Sequence, residues 1–199
     1  MFITRDIVSE SQEIDRARDG DDAAWERLIR LYQEPVFRLA YLLLGDPEDA
    51  EDAAQETFIR AYRALDRFDA SRPLRPWLLQ IAANLSRNRR RALGRYWAAL
   101  QRRWLKEPPM SEDVESRVGS RMQSKRLWQA IRQLRQDDQE IIYLRYFLEL
   151  PVSEAAEATG LAEGTVKSRT SRALGRLRDV IEREFPDLKM DVNDGNRIF

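Results

Sequence analysis

The chain contains no cysteine and no histidine. The first absence excludes a disulfide framework, a thiolate nucleophile and zinc fingers of the usual ligand types. The second removes the commonest general acid–base of enzymes and any histidine-based pH or metal sensor. Glycine and proline are scarce, eight of each in 199 residues, and they fall at boundaries between apolar-periodic segments. Strand-like alternation is absent. The longest apolar run, Leu39 to Leu44, is far too short to cross a bilayer. The opening stretch MFITRDIVSESQEID has no apolar core of signal-peptide length. The expectation is a cytoplasmic protein without metal, cofactor or membrane insertion.

What the chain has is charge, unevenly spread. Charged residues make up 34% of the sequence, and the formal net charge is zero. From Leu39 to Ile59 there is no Lys or Arg, while Asp46, Glu48, Asp49, Glu51, Asp52 and Glu56 crowd together. From Ala70 to Lys106 there is no Asp or Glu, while ten Arg and Lys occur. Such segregation implies one acidic and at least one basic surface, and hence two unlike partners, one basic and one polyanionic.

The periodicity is helical throughout. Trp25, Leu28, Ile29, Tyr32, Val36, Leu39, Ala40 and Leu43 recur at helical spacing over 23–44, with Pro35 expected to split the segment into two helices. Gly45 closes it. Asp46 is placed to cap a third helix, with Pro47 in its first position and acids in its first turn. That helix buries Ala50, Ala54, Thr57, Phe58, Ala61 and Leu65, leaving Asp49, Asp52, Gln55 and Glu56 outside. Residues 66–76 form a loop by their Pro and Ser content. A long basic amphipathic helix follows over 77–105, with a break near Gly94. Residues 106–116, with paired prolines and acids, form a semi-rigid linker. Helices over 117–135 and 138–147 precede a helix-turn-helix pair at 153–182.

That last pair carries the sharpest signal. The first helix ends at Gly160, which can take the left-handed conformation that closes a helix. On the second, Val166, Thr170, Ala173, Leu174, Leu177 and Ile181 share one stripe. Ser168, Ser171 and Arg172 lie opposite, flanked by Lys167, Arg169, Arg176 and Arg178. An apolar back, a hydroxyl-bearing front and basic edges suit a helix lying in a major groove. A solvated basic face on an ordinary helical hairpin is the alternative. In the basic helix, Arg87, Arg89, Arg90, Arg91 and Arg95 accompany Trp77, Asn84, Tyr96 and Trp97. Such a set suits gripping phosphates and stacking unpaired bases, lying on an anionic membrane, or, for the tryptophans, filling a core. The Glu48 and Glu51 spacing could hold Mg²⁺ for nucleotide hydrolysis. An all-helical hydrolase of that kind needs a second acidic helix, and 77–105 contains no acid.

Taken in order, the motifs GDPEDAEDAAQETFIRAYRAL (45–65), RPWLLQIAANLSRNRRR (75–91), IIYLRYF (141–147) and EGTVKSR (163–169) resemble those of bacterial extracytoplasmic-function (ECF) sigma factors. The resemblance spans residues 23–184. It implies an all-α protein of two small helical domains joined by a flexible linker, the C-terminal one containing the helix-turn-helix. The boundaries it implies are a loose segment 1–20, a region 2 domain 21–105, the linker 106–116, a region 4 domain 117–185 and a disordered tail 186–199. It also implies partners. Asp49, Asp52, Gln55 and Glu56 match the surface that docks on the β′ clamp helices of core RNA polymerase, and region 4 would meet the β subunit. Phe68, Asp69, Ser71, Trp77 and Asn84 match the part that captures an extruded −10 base, which exposes its hydrogen-bonding edge once unpaired. Arg87, Arg89, Arg90 and Arg91 would hold nearby phosphates. Lys167, Ser168, Arg169, Ser171, Arg172 and Arg176 match the helix facing the −35 element of promoter DNA. An anti-sigma factor would mask these surfaces, and the free protein would be monomeric.

The chain departs from the family pattern in places. Ala162 stands where a Ser or Pro usually starts the recognition helix, Arg135 follows Leu134 in place of Pro, and Ala155 replaces an isoleucine. The basic helix also runs on past the resemblance to Trp97, Leu100 and Trp104, which could be core or a face for a regulator. A conventional dimeric helix-turn-helix regulator remains the alternative; it would bind an inverted repeat without polymerase.

Overall fold

The computed structural model describes residues 3–101, 120–186 and 188, with side-chain surroundings from residue 10 onward in the first stretch and from 126 in the second. All regular structure among them is helical. The linker 106–116, Trp104 and nearly all of the tail lie outside the described residues, as do the side chains of Tyr96, Trp97 and Leu100. The chain divides into two compact units.

The first unit has four helices: α1 (Ile3–Arg18), α2 (Asp22–Leu44), α3 (Pro47–Ala64) and α4 (Leu74–Gln101). α2 is the hub, packing against the other three, and α3 also packs on α4. Local chemistry sets the breaks. Asp21 caps α2, its carboxylate accepting from the Ala24 amide at 3.1 Å. That bond first, then Arg16, holds its pKa below the usual carboxylate value against the cost of partial burial. Gly45 ends α2 at φ 79°, its amide donating to the Tyr41 carbonyl. Asp46 then caps α3 by accepting from the Asp49 amide at 2.9 Å, with Pro47 in the first turn. Ala40 on α2 is buried with Ala50 and Ala53 on α3. Small side chains there let the two helices approach closely, which leaves the acidic side of α3 pointing outward.

Three expectations for this unit are corrected. Within the segment 1–20 expected to be loose, residues 3–18 form α1, with Ile14 and Ala17 buried. Its apolar content is thin, and polar bonds to the rest of the unit supplement it. Pro35 does not split α2, which runs unbroken through it. A proline costs a helix one hydrogen bond, and the buried stripe Leu28, Tyr32, Val36, Leu39, Ala40 and Leu43 continues in phase on both sides. α4 begins at Leu74, with Pro76 in its first turn, where a missing N–H costs little. It continues past Gly94 without a break.

The second unit contains α5 (Ser120–Arg132), α6 (Gln136–Ile142), the larger part of α7 (Val152–Thr159) and α8 (Glu163–Glu184). α8 packs on both α5 and α6. A π-helical turn at Tyr143–Phe147 extends α6. Trp128, Tyr143 and Phe147 cluster there, with ring centroids 4.7–5.8 Å apart. The buried Gln139 amide donates to the carbonyls of Leu134 (2.7 Å) and Arg132 (3.0 Å), satisfying groups that the end of α5 leaves open. Gly160, at φ 69°, turns the chain between α7 and α8 as expected.

If α1 is an integral part of the first unit, Ile14→Ala should lower that unit's stability by about 2–5 kcal/mol in urea unfolding. A change within about 0.5 kcal/mol would return α1 to the status of an appendage.

Candidate nucleic-acid and polymerase interface

On α3, Asp52 and Gln55 are exposed, and Asp49 and Glu56 are partly so. The acids are not left to repel one another. Arg89 of α4 reaches Asp49 at 2.5 Å and Asp52 at 3.0 Å, and Arg60 pairs with Glu56 at 2.6 Å. Burial works against the Arg89 charge, but the bonds from Asp52 and Asp49 outweigh it and raise its pKa. Beside Gln55 opens an apolar hollow lined by Trp25, Ile29, Phe58, Ile59 and Tyr62. Ile59 and Tyr62 stand 46% and 44% exposed, more than a core stripe would leave them. Sequence reading had no place for this hollow; Ile59 and Tyr62, lying off the buried stripe of α3, were the available signal.

The residues expected at the −10 strand separate into two groups. Phe68, Asp69, Ser71 and Trp77 come together. Phe68 is buried, with its ring 4.6 Å from that of Trp77. The Asp69 carboxylate accepts from both the Ser71 hydroxyl (2.7 Å) and the Ser71 amide (3.0 Å). Those two bonds, the hydroxyl's first, hold the Asp69 pKa below the usual carboxylate value. The turn therefore keeps its ionised acceptor at neutral pH and loses it only as pH falls through that lowered value. Asn84 and Arg91 are exposed, and Arg87 donates to the Asn84 side chain at 2.5 Å.

Arg89 and Arg90 face elsewhere. Arg89 binds the acids of α3, and Arg90 reaches the Leu43 carbonyl at the end of α2, at 3.5 Å. Helical geometry explains the division. At about 100° per residue, Arg91 lies about 40° around α4 from Trp77, whereas Arg89 lies about 120° away. Composition placed the four arginines in one patch; the helical period distributes them over three sides.

On α8 the apolar back is seated as expected, with Val166, Ala173, Leu177 and Ile181 buried. Lys167, Ser168, Ser171 and Arg172 stand exposed together. The Arg172 guanidinium leans back on the Ser168 carbonyl at 3.1 Å. Ala162 precedes the helix without a side-chain cap, so its first amides remain available to an outside acceptor. Arg169 and Arg176, seven residues apart, turn instead toward α6. Arg169 lies 3.4 Å from Asp137, and Arg176 binds Asp138 at 2.6 Å. The Asp138 side chain is only 5% exposed, so this partner neutralises a charge that could not otherwise remain buried.

Arg176→Ala should therefore cost the second unit about 1–3 kcal/mol by orphaning Asp138, whereas Arg172→Ala should stay within about 0.5 kcal/mol. Thermal unfolding of the two variants checks this. Equal, small effects would place both arginines on the same outward face.

Comparison with known proteins matches residues 28–96 to Sigma-70 region 2 and residues 124–177 to Sigma-70, region 4. The ECF RNA polymerase sigma factor SigW of Bacillus subtilis is 31% identical over 89% of this chain and 97% of its own length. In fold, the chain is similar to CnrH, solved in complex with the cytosolic domain of CnrY (TM-score 0.66, 24% identity, covering 88% of this chain and 98% of that one). It is also similar to the sigma factor RpoE of Bartonella quintana, solved with the anti-sigma factor NepR (TM-score 0.62, 24% identity, covering 80% and 97%). Two helical units carrying an exposed acidic face, an aromatic–basic face and a helix-turn-helix, matched to regions 2 and 4 in order and to a relative along nearly its whole length, place this chain in the ECF RNA polymerase sigma factor family.

Proposed function

We propose that this sigma factor docks on core RNA polymerase through the outer face of α3, centred on Asp52, Gln55 and Glu56, with the neighbouring apolar hollow extending the contact. Asp49 contributes less directly, because its side chain is 24% exposed beside Arg89, against 63% for Asp52. The loop 68–73 with Trp77 captures a −10 base, and Asn84, Arg87 and Arg91 follow the strand along the same side of α4. In the second unit, Lys167, Ser168, Ser171 and Arg172 face the −35 element, with Arg169 and Arg176 as supports on its edge. The uncapped start of α8 adds backbone amides suited to a phosphate. Region 4 would also meet the β subunit. The first domain extends through α1 to about residue 105, the linker covers 106–116, and the second domain covers 117–185.

The observation that carries this assignment is the division of exposed charge: acids on the outer side of α3, cations on the free sides of α4 and α8. Sigma factors are transcription initiation factors and not enzymes, so the Glu48 and Glu51 pair is read as part of the acidic face. Among the described residues no helix is long and apolar enough to cross a membrane. As RpoE of Bartonella quintana is solved with an anti-sigma factor, a protein of that class would hold this chain inactive until a signal releases it.

Run-off transcription with purified core polymerase and a promoter library tests the assignment. Transcripts should appear only with this protein present, from templates sharing two unlike elements at fixed spacing. Tight polymerase-independent binding to a palindrome would favour a dimeric regulator instead. Asp52→Lys with Glu56→Lys should abolish co-purification with polymerase while leaving the thermal transition in place. Normal holoenzyme formation by that variant would remove the docking role from α3.

A further inference from the structure

The segment joining α3 to α4 is held at both ends by one helix that lies outside the region 2 match. That match begins at residue 28, and α1 ends at Arg18. At the near end of the segment, Arg18 donates through Nε to the Leu65 carbonyl at 3.0 Å and through a terminal nitrogen to the Phe68 carbonyl. Its other terminal nitrogen is paired with Asp15 at 2.9 Å, which fixes the plane of the guanidinium. At the far end, a Glu10 oxygen accepts from the Leu74 amide at 2.8 Å. Leu74 opens α4, so this carboxylate satisfies a first-turn donor and sits where the helix dipole favours an anion. The second Glu10 oxygen accepts from the Tyr32 hydroxyl on α2.

Glu10, Ile14, Ala17 and Arg18 follow one another at the spacing of a single helix face. Ile14 and Ala17 are buried and fix how α1 sits; Glu10 and Arg18 carry that placement to the loop. The bonds end on main-chain atoms of residues 65, 68 and 74, not on loop side chains. They set the loop's shape whatever residues occupy it. Within this frame lie the Asp69–Ser71 turn and the Phe68–Trp77 ring contact.

We propose that Glu10 and Arg18 are positioning residues for promoter reading: α1 clamps the two ends of the 68–73 loop and so holds it in the one conformation that accepts a particular extruded −10 base. The assignment rests on the reading of that loop as the −10 reader. A rigid loop discriminates between bases because the wrong base leaves fixed polar groups unpaired, whereas a slack loop adapts to either. Loss of the clamp should therefore lower selectivity before it lowers binding to polymerase.

The test uses the full-length protein with core polymerase on a library of promoters whose −35 element is fixed and whose −10 element is randomised, with transcripts counted by sequencing. Glu10→Ala and Arg18→Met should each flatten the −10 preference by about fivefold or more, with polymerase affinity and −35 preference unchanged. Glu10→Gln, which keeps an acceptor for the Leu74 amide, should retain the wild-type preference. Arg18→Lys keeps the charge but cannot span both carbonyls, and should behave as Arg18→Met does. Should Glu10→Ala or Arg18→Met fail to fold by circular dichroism, the contrast between Glu10→Gln and Arg18→Lys decides. A uniform fall in transcripts with the −10 preference intact would overturn the proposal and leave α1 a packing element. The control is Asp69→Ala with Ser71→Ala. An altered −10 preference there, with none in the α1 variants, sinks the clamp alone. An unaltered preference in the control sinks the loop's reading role and the clamp with it.

Discussion

In the first unit, packed around α2, a helix with no cation in its first two-thirds meets a helix with no acid. α3 and α4 pack side by side, and where they meet Arg89 lies between Asp49 and Asp52. An exposed ion pair alone is worth little, about 0–1 kcal/mol. Its importance here is geometric. One cation placed between two acids lets the rest of the acidic face form without excessive self-repulsion, and it ties that arginine of α4 to α3. Glu48 and Glu51 on α3 and Arg91 and Arg95 on α4 stand exposed. A sequence of zero net charge thereby presents two surfaces of opposite sign within one four-helix unit.

Much of this was legible in the sequence because it depends on local chemistry. Gly45, Asp46 and Pro47 mark one helix end and the next start within three residues, and the backbone follows them. Gly160 and the stripe on α8 did the same for the helix-turn-helix. What sequence reading missed depends on contacts between distant residues. α1 has few apolar residues, and its strongest ties are Glu10 and Arg18 bonded to main-chain atoms about fifty or more positions away. No period in a short window reveals such bonds. Pro35 misled for the complementary reason: a local rule said break, while burial continuing in phase on both sides outweighed one lost hydrogen bond.

The candidate site shows the same division at the level of single arginines. Reading basic residues as a patch assigned Arg89, Arg90 and Arg176 to DNA. The structure gives each of them an acceptor inside its own unit. For Arg89 and Arg90 the helical period alone separates them from the Trp77 side of α4. For Arg176 the signal was Asp138, an acid in the first turn of a short helix that is buried together with Gln139, Glu140, Ile141 and Ile142. A buried acid needs a cation, and the nearest helix to supply one is α8.

These internal pairings bear on how the protein uses DNA. Affinity for a polyanion rises with the number of phosphates neutralised and falls steeply with salt. Lys167, Arg172 and Arg178 stand exposed on α8, and Arg91 and Arg95 on α4, where Arg87 is bonded to the exposed Asn84. Two or three phosphate contacts per unit support only weak binding at physiological salt. Weak individual anchors are useful when something else fixes their spacing, because joining two binding modules on one rigid frame raises the effective concentration of the second once the first is engaged. Core polymerase would supply that frame under the docking proposed above. The modest charge left on each DNA face is thus matched to a protein that should act on promoters only when joined to its enzyme.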